Sequence, residues 1–174
     1  MRNIVLFGFM GSGKSAVAKK LQDKLHYTLI EMDQLIEESE QTTINQIFKI
    51  KGEPYFRELE KKMVEKISKK NNSIISTGGG VVLDQENIKN LKKNGILISL
   101  LASPEIIFQR IKKETHRPLL KTENPLKTIS DLLEYRKPFY KKADYLIDTS
   151  QLTVEEVVEK ILKILKNQHK SVHN

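Results

Sequence analysis

Cysteine and tryptophan are absent from all 174 residues. With no thiol there can be no disulfide, zinc ribbon, iron–sulfur cluster or cysteine nucleophile. Histidine is sparse, and His26, His116, His169 and His173 show no paired spacing, so any metal is expected to be a hard, oxygen-bound one. No apolar run approaches the roughly 20 residues a membrane span requires. The opening MRNIVLFGFMGSGKS also lacks a small-residue cleavage site after its apolar stretch. A cytoplasmic protein with no membrane partner is expected. Arginine is the scarce cation: 5 of the 30 basic residues, namely Arg2, Arg57, Arg110, Arg117 and Arg136.

What is present favours one domain over residues 1–174, because a chain of this length buries roughly 70% of its unfolded surface and needs no staple. The formal charge of +8 raises the question of nucleic acid. Most lysines, however, stand among acids at helical spacing, as in LEKKMVEKISKK and VEEVVEKILKILK, the pattern of solvated helix faces. No nucleic-acid partner is therefore expected. Where Lys serves as the general point charge, each Arg becomes a candidate for bidentate recognition of carboxylate or phosphate.

Short apolar runs at IVLF, YTLI, SIIS, GILISLL and YLID read as buried strands, and helical patterns separate them. That alternation predicts an α/β fold with a parallel sheet of about five strands between helical layers. Residues 34–70 are helical in pattern, with Pro54 suited to a helix start. Residues 112–127 carry two prolines, many charges and no period, and read as a surface loop able to act as a lid. Thr153 and Glu156 form a capping box for the last helix.

Gly8-Phe9-Met10-Gly11-Ser12-Gly13-Lys14-Ser15 matches G-x-x-x-x-G-K-[ST], between a predicted strand and a predicted helix. Glycines at this spacing let backbone N–H groups converge on one phosphate, with the helix N-terminus aimed at the same point. Lys14 is placed to reach the outer phosphates and Ser15 to hold Mg²⁺. A GTPase would need Asn-Lys-x-Asp, which is missing. Small size, a helical insertion and a basic loop near Arg117 fit a kinase that closes over two small substrates. The residues alone reach only a kinase of a small hydroxylated carboxylic acid. They leave open a gluconate-type sugar-acid kinase, a nucleotide kinase, a non-catalytic ATP-responsive protein and a basic nucleic-acid binder.

In their order and separations, GFMGSGKS, EMDQLIEE, FRELE, STGGG, RPLL and YRKPFY resemble the shikimate kinase family, a branch of the nucleoside-monophosphate-kinase-like P-loop fold. The resemblance implies a three-layer P-loop kinase fold with an acceptor-binding insertion at about 32–61 and a lid at about 112–125. It implies a monomeric enzyme that moves the γ-phosphoryl group of MgATP to the 3-hydroxyl of shikimate, giving shikimate 3-phosphate and ADP. Asp33 would bind and deprotonate that hydroxyl, its position beyond a parallel strand suiting a crevice ligand, although an N-cap role is the simpler alternative. Arg57 and Arg136 would grip the acceptor's carboxylate, unless they merely pair with Glu58 or Glu134. Gly78, Gly79 and Gly80 would bring main chain close to the acceptor.

By the same resemblance Gly11, Ser12, Gly13, Lys14 and Ser15 hold the phosphates, Arg117 closes over the transferring group and Arg110 stacks on adenine. Phe48 and Phe56 would supply ring contacts to the acceptor. This chain departs from the family in reading Glu31-Met32-Asp33 where Asp-x-Asp is usual, so Glu31 would reach the metal through water. It also departs at TSQLT, which lacks the basic or proline residues that often flank adenine.

Overall fold

The computed structural model describes residues 2–112 and 122–171. The chain runs β1 (Asn3–Phe7), α1 (Lys14–Leu25), β2 (Thr28–Glu31), α2 (Met32–Glu40), α3 (Ile44–Ile67), β3 (Ser73–Ser76), a short 3₁₀ turn (Val81–Leu83), α4 (Gln85–Asn94), β4 (Gly95–Leu101), α5 (Pro104–Ile111), α6 (Pro125–Tyr140), β5 (Tyr145–Asp148) and α7 (Val154–Ser171). The five strands are parallel and ordered β2-β3-β1-β4-β5. This is the α/β arrangement with a five-stranded parallel sheet that the strand and helix pattern predicts, and it fits the P-loop kinase fold that the resemblance implies.

Alternation along β1 builds the two apolar layers. Ile4 and Leu6 face α1 and α7, meeting Val17, Leu21, Val158 and Ile161. Val5 and Phe7 face the opposite side, where Val64 of α3, Leu91 of α4, Ile107 of α5 and Ile129 of α6 pack. Both faces of β1 are covered, which is why its five residues are buried without a polar-out alternation. Connections leave β1 toward β2 on one side and β3 toward β4 on the other, so a crevice opens beyond their carboxyl ends, where open α/β sheets bind ligands.

Two local devices shape the rim of that crevice. Thr43 Oγ1 accepts from Gln46 N at 3.3 Å and Glu37 Oε1 from Ile44 N at 2.8 Å, which tie α2 to the start of α3. Gly52 then interrupts α3 at φ 80°, ψ 171°, and Pro54 opens the segment that follows, in keeping with the helix start read from the sequence. At the other end of the chain, Thr153 and Glu156 form the expected capping box, with bonds of 2.8 and 3.2 Å in the two directions. Among the described residues no helix is long and apolar enough to cross a membrane.

Candidate active site

Between β1 and α1 the chain turns through Gly8, Gly11 and Gly13, at φ of 148°, 74° and 96°. At Gly8 a side chain is also excluded by space, because a Cβ would stand 2.5 Å from both Leu100 O and Ser12 Oγ. At Gly13 nothing lies within 4 Å, so there the left-handed conformation alone requires glycine, and the backbone stays open to an approaching ligand. No acidic residue occupies the first turn of α1, leaving its positive end uncompensated. Lys14 Nζ donates to Gly8 O at 2.9 Å and Phe9 O at 3.1 Å, which lays the ammonium along the loop. Ser12 is buried within the loop and Ser15 is exposed beside it.

A cleft of about 400 Å³ opens over this loop. Its floor includes Gly11, Gly13, Lys14 and Ser15, and its walls bring Glu31, Asp33, Phe48, Phe56, Arg57, Gly78–Gly80 and Arg136 together. A larger groove of about 610 Å³, between α3 and α4, is lined by lysines, glutamates, asparagines and a serine, and contains no residue of either glycine turn. The smaller cleft is the candidate site, because the two glycine turns and two of the five arginines, Arg57 and Arg136, meet there.

Each glycine of the triplet after β3 lies against a different polar side chain. A Cβ on Gly78 would stand 2.7 Å from Asp33 Oδ1, one on Gly79 would stand 3.3 Å from Arg136 Nη1, and one on Gly80 would collide with the Arg57 guanidinium. One turn of main chain thus gathers a carboxylate and two guanidinium groups. Phe48 and Phe56 close one side, their ring centroids 4.7 Å apart.

Asp33 is not a helix cap. The N-cap position belongs to Glu31, which makes no side-chain cap bond, and Asp33 is the second residue of α2, exposed at the mouth of the cleft. The acid partners of the arginines also differ from the sequence alternatives. Arg57 binds Glu53 Oε1 through Nη2 and Nε at 2.8 and 3.1 Å, and Glu60 Oε2 through Nη1 at 2.8 Å. Neither Glu58 nor Glu134 is its partner; Glu134 pairs with Lys137 instead. Among the described residues no carboxylate is in ion-pair contact with Arg136, whose guanidinium rests 5.4 Å from the Phe9 ring centroid. Arg57 is therefore held in place by protein acids, whereas Arg136 presents a cation to the cleft.

Sequence reasoning missed Glu60. It is 1% exposed, Oε1 has no hydrogen-bond partner, and burial raises its carboxyl to about 7 against the opposing pull of Arg57, with the charge of Asp33 adding to the rise. For Arg57, burial lowers the pKa but Glu60 and Glu53 outweigh it, so the net direction is upward. The signal was present in FRELE, where Arg57 and Glu60 share a helix face at i,i+3.

Arg110 stands away from the cleft, on the outer side of the phosphate loop. It donates to Gly11 O at 3.3 Å, Thr149 Oγ1 at 3.1 Å and Thr149 O at 2.9 Å, joining the loop to the end of β5. Arg117 lies outside the described residues, as does most of the segment expected to form the lid. For a divalent cation, the hydroxyl of Ser15 and the carboxylate of Glu31 line one cleft and supply the oxygen donors Mg²⁺ prefers. Among the described residues no group of three His, Asp or Glu could hold a metal ion.

Comparison with known proteins points to one family. A family model described as shikimate kinase matches residues 10–166. The shikimate kinase of Caldanaerobacter subterraneus subsp. tengcongensis is 50% identical over 163 residues, covering 94% of this chain and 95% of its own length. That of Thermodesulfovibrio yellowstonii is 49% identical, covering 94% of each. Among solved structures, shikimate kinase from Acinetobacter baumannii in complex with shikimate superposes with a TM-score of 0.90 at 34% identity, covering 97% of this chain and 94% of that one. The Aquifex aeolicus shikimate kinase gives a TM-score of 0.82 at 36% identity, covering 96% and 98%.

Proposed function

The chain belongs to the shikimate kinase family, and we propose that the cleft over its phosphate loop is where it carries the γ-phosphoryl group of ATP to the 3-hydroxyl of shikimate, giving shikimate 3-phosphate and ADP. The observation that supports this placement is the glycine triplet, which sets one carboxylate and two guanidinium groups around a single turn facing the phosphate loop. A hydroxylated ring acid needs that combination: a base for the alcohol and a cationic seat for the acid.

Phosphoryl transfer asks little covalent work of a protein, so the residues act by positioning and by neutralising charge. Asp33 takes the proton of the acceptor hydroxyl as that oxygen bonds to the γ-phosphorus, and the bond to the β-phosphate oxygen breaks with release of ADP. Arg136 and Arg57 meet the acceptor carboxylate, and the planar fork of each sets the ring's orientation. Lys14 leaves its loop carbonyls for the outer phosphates, exchanging two neutral acceptors for an anionic one. Ser15, with Glu31 through water, would hold Mg²⁺, which when bound offsets negative charge on the phosphates. Arg117 is assigned to the phosphates from the lid and Arg110 to the face of adenine. We assign residues 32–61 to acceptor binding and expect a monomer acting on small molecules alone.

The test is release of ADP from MgATP with shikimate, gluconate and a panel of nucleoside monophosphates. Turnover confined to shikimate is expected. Turnover only with a nucleotide would reject the acceptor assignment, and ATP binding without any turnover would leave an ATP-responsive binding protein.

A further inference from the structure

Arg136 and Gly79 are joined through a residue that does not line the cleft. Tyr140, the last residue of α6, is 1% exposed and packs in the core layer beneath the site. Its phenol donates to Gly79 O at 2.9 Å, and the Arg136 guanidinium, one helical turn earlier, faces the same phenol oxygen. A Cβ on Gly79 would stand 3.3 Å from Arg136 Nη1 and 3.7 Å from the Tyr140 hydroxyl, so the three groups share one small volume.

Arg136 has few bonds of its own to fix it. Its Nε is buried without a hydrogen-bond partner, and its charge rests on the face of Phe9. Pro138 lies between the two residues and has no N–H to give to the helix, so the last turn of α6 lacks one internal tie. The bond from Tyr140 to Gly79 anchors that turn to the glycine segment. Burial raises the phenol to about 12, which keeps it protonated and donating at any working pH.

We infer that Tyr140 is a positioning residue that fixes the Arg136 fork against the Gly79 turn, so that the acceptor's carboxylate meets a preset cation and main chain. The inference rests on the reading of Arg136 as a carboxylate seat. Preorganisation of this kind strengthens binding by reducing the freedom lost when the ligand arrives. It should therefore act on the acid and leave the nucleotide untouched.

Tyr140→Phe keeps the ring in the core and removes only the hydroxyl. The dissociation constant for shikimate is expected to rise about tenfold, a typical loss for one buried hydrogen bond, while that for ATP stays within about twofold of wild type. For the methyl ester of shikimate, which has no carboxylate, wild type and Tyr140→Phe should bind alike. Hydrogen exchange at residues 78–80 supplies a readout independent of catalysis, with faster exchange expected in the variant. Unchanged affinity for shikimate, or an equal loss for acid and ester, overturns the inference. Arg136→Lys is measured alongside: if it too fails to separate acid from ester, the carboxylate-seat reading has failed rather than the role of Tyr140. Should Tyr140→Phe prove too unstable for titration, exchange at residues 78–80 that matches wild type below its melting range also overturns the inference.

Discussion

Asp33 Oδ1 and Glu60 Oε1 converge on Gly78, lying 2.7 and 3.4 Å from the point where a Cβ would stand. The nearer atom ends an exposed side chain and not backbone, so Gly78→Ala should displace the Asp33 carboxylate before it shifts the main chain. A melting temperature within a few degrees of wild type is expected, with turnover lowered about 100-fold, because a displacement near 1 Å at a reacting group costs on that order. Wild-type turnover in steady-state assays would show that Asp33 need not stand where the glycine lets it stand.

Glu60 makes stability depend on pH in a direction opposite to that of an ordinary ion-paired acid. Its carboxyl is raised from 4.5 to about 7, chiefly by burial. The unfolded chain therefore loses this proton near 4.5 while the folded chain keeps it to about 7. Between those values the native state binds more protons, and stability falls as pH rises, by up to about 3 kcal/mol, before levelling off above 7. Glu60→Gln preserves shape and removes the titration. Thermal melts from pH 5 to 8 should show wild type losing ground to the variant as pH rises. Parallel curves would mean that Glu60 is already ionised at pH 5.

The strands, the order of the helices and the phosphate loop were legible because each has a local cause: short apolar runs, helical periodicity, and glycines at positive φ. The site was legible in its members and less so in their relations. Asp33 reads as a cap only if the helix starts at Gln34, yet α2 begins at Met32, two residues earlier than the sequence pattern places it. The partners of Arg57 were misplaced because sequence proximity favours Glu58, whereas residues three and four apart share a helix face and so bring Glu60 and Glu53 into contact. Tyr140 was hidden because its bond to Gly79 spans 61 positions, and no local pattern encodes a contact of that range.

The two arginines should respond differently to the same substitution. Arg57 already binds Glu53 and Glu60, whereas Arg136 has no carboxylate in ion-pair contact among the described residues. The cost of keeping Arg136 partly buried is offset when an acid arrives. Arg136→Lys is expected to weaken shikimate binding by about 1 to 3 kcal/mol, because an ammonium cannot reproduce the two-pronged contact. Calorimetric titration checks this, and an unchanged dissociation constant would remove Arg136 from the site.

Asp33→Asn separates binding from chemistry at the acceptor. The amide nearly matches the carboxylate in size and can still hydrogen-bond a hydroxyl, so the acceptor should still occupy the cleft. It cannot take the proton, and loss of a positioned base lowers the chemical step by about 10² to 10⁴-fold. The nucleotide is assigned to the phosphate loop, built between β1 and α1, and α2 forms no part of that loop. ATP affinity measured by fluorescence titration should therefore match wild type while single-turnover transfer collapses. A variant with wild-type transfer would place the proton on another acceptor, and the buried carboxylate of Glu60, facing the same glycine, would be the first to examine.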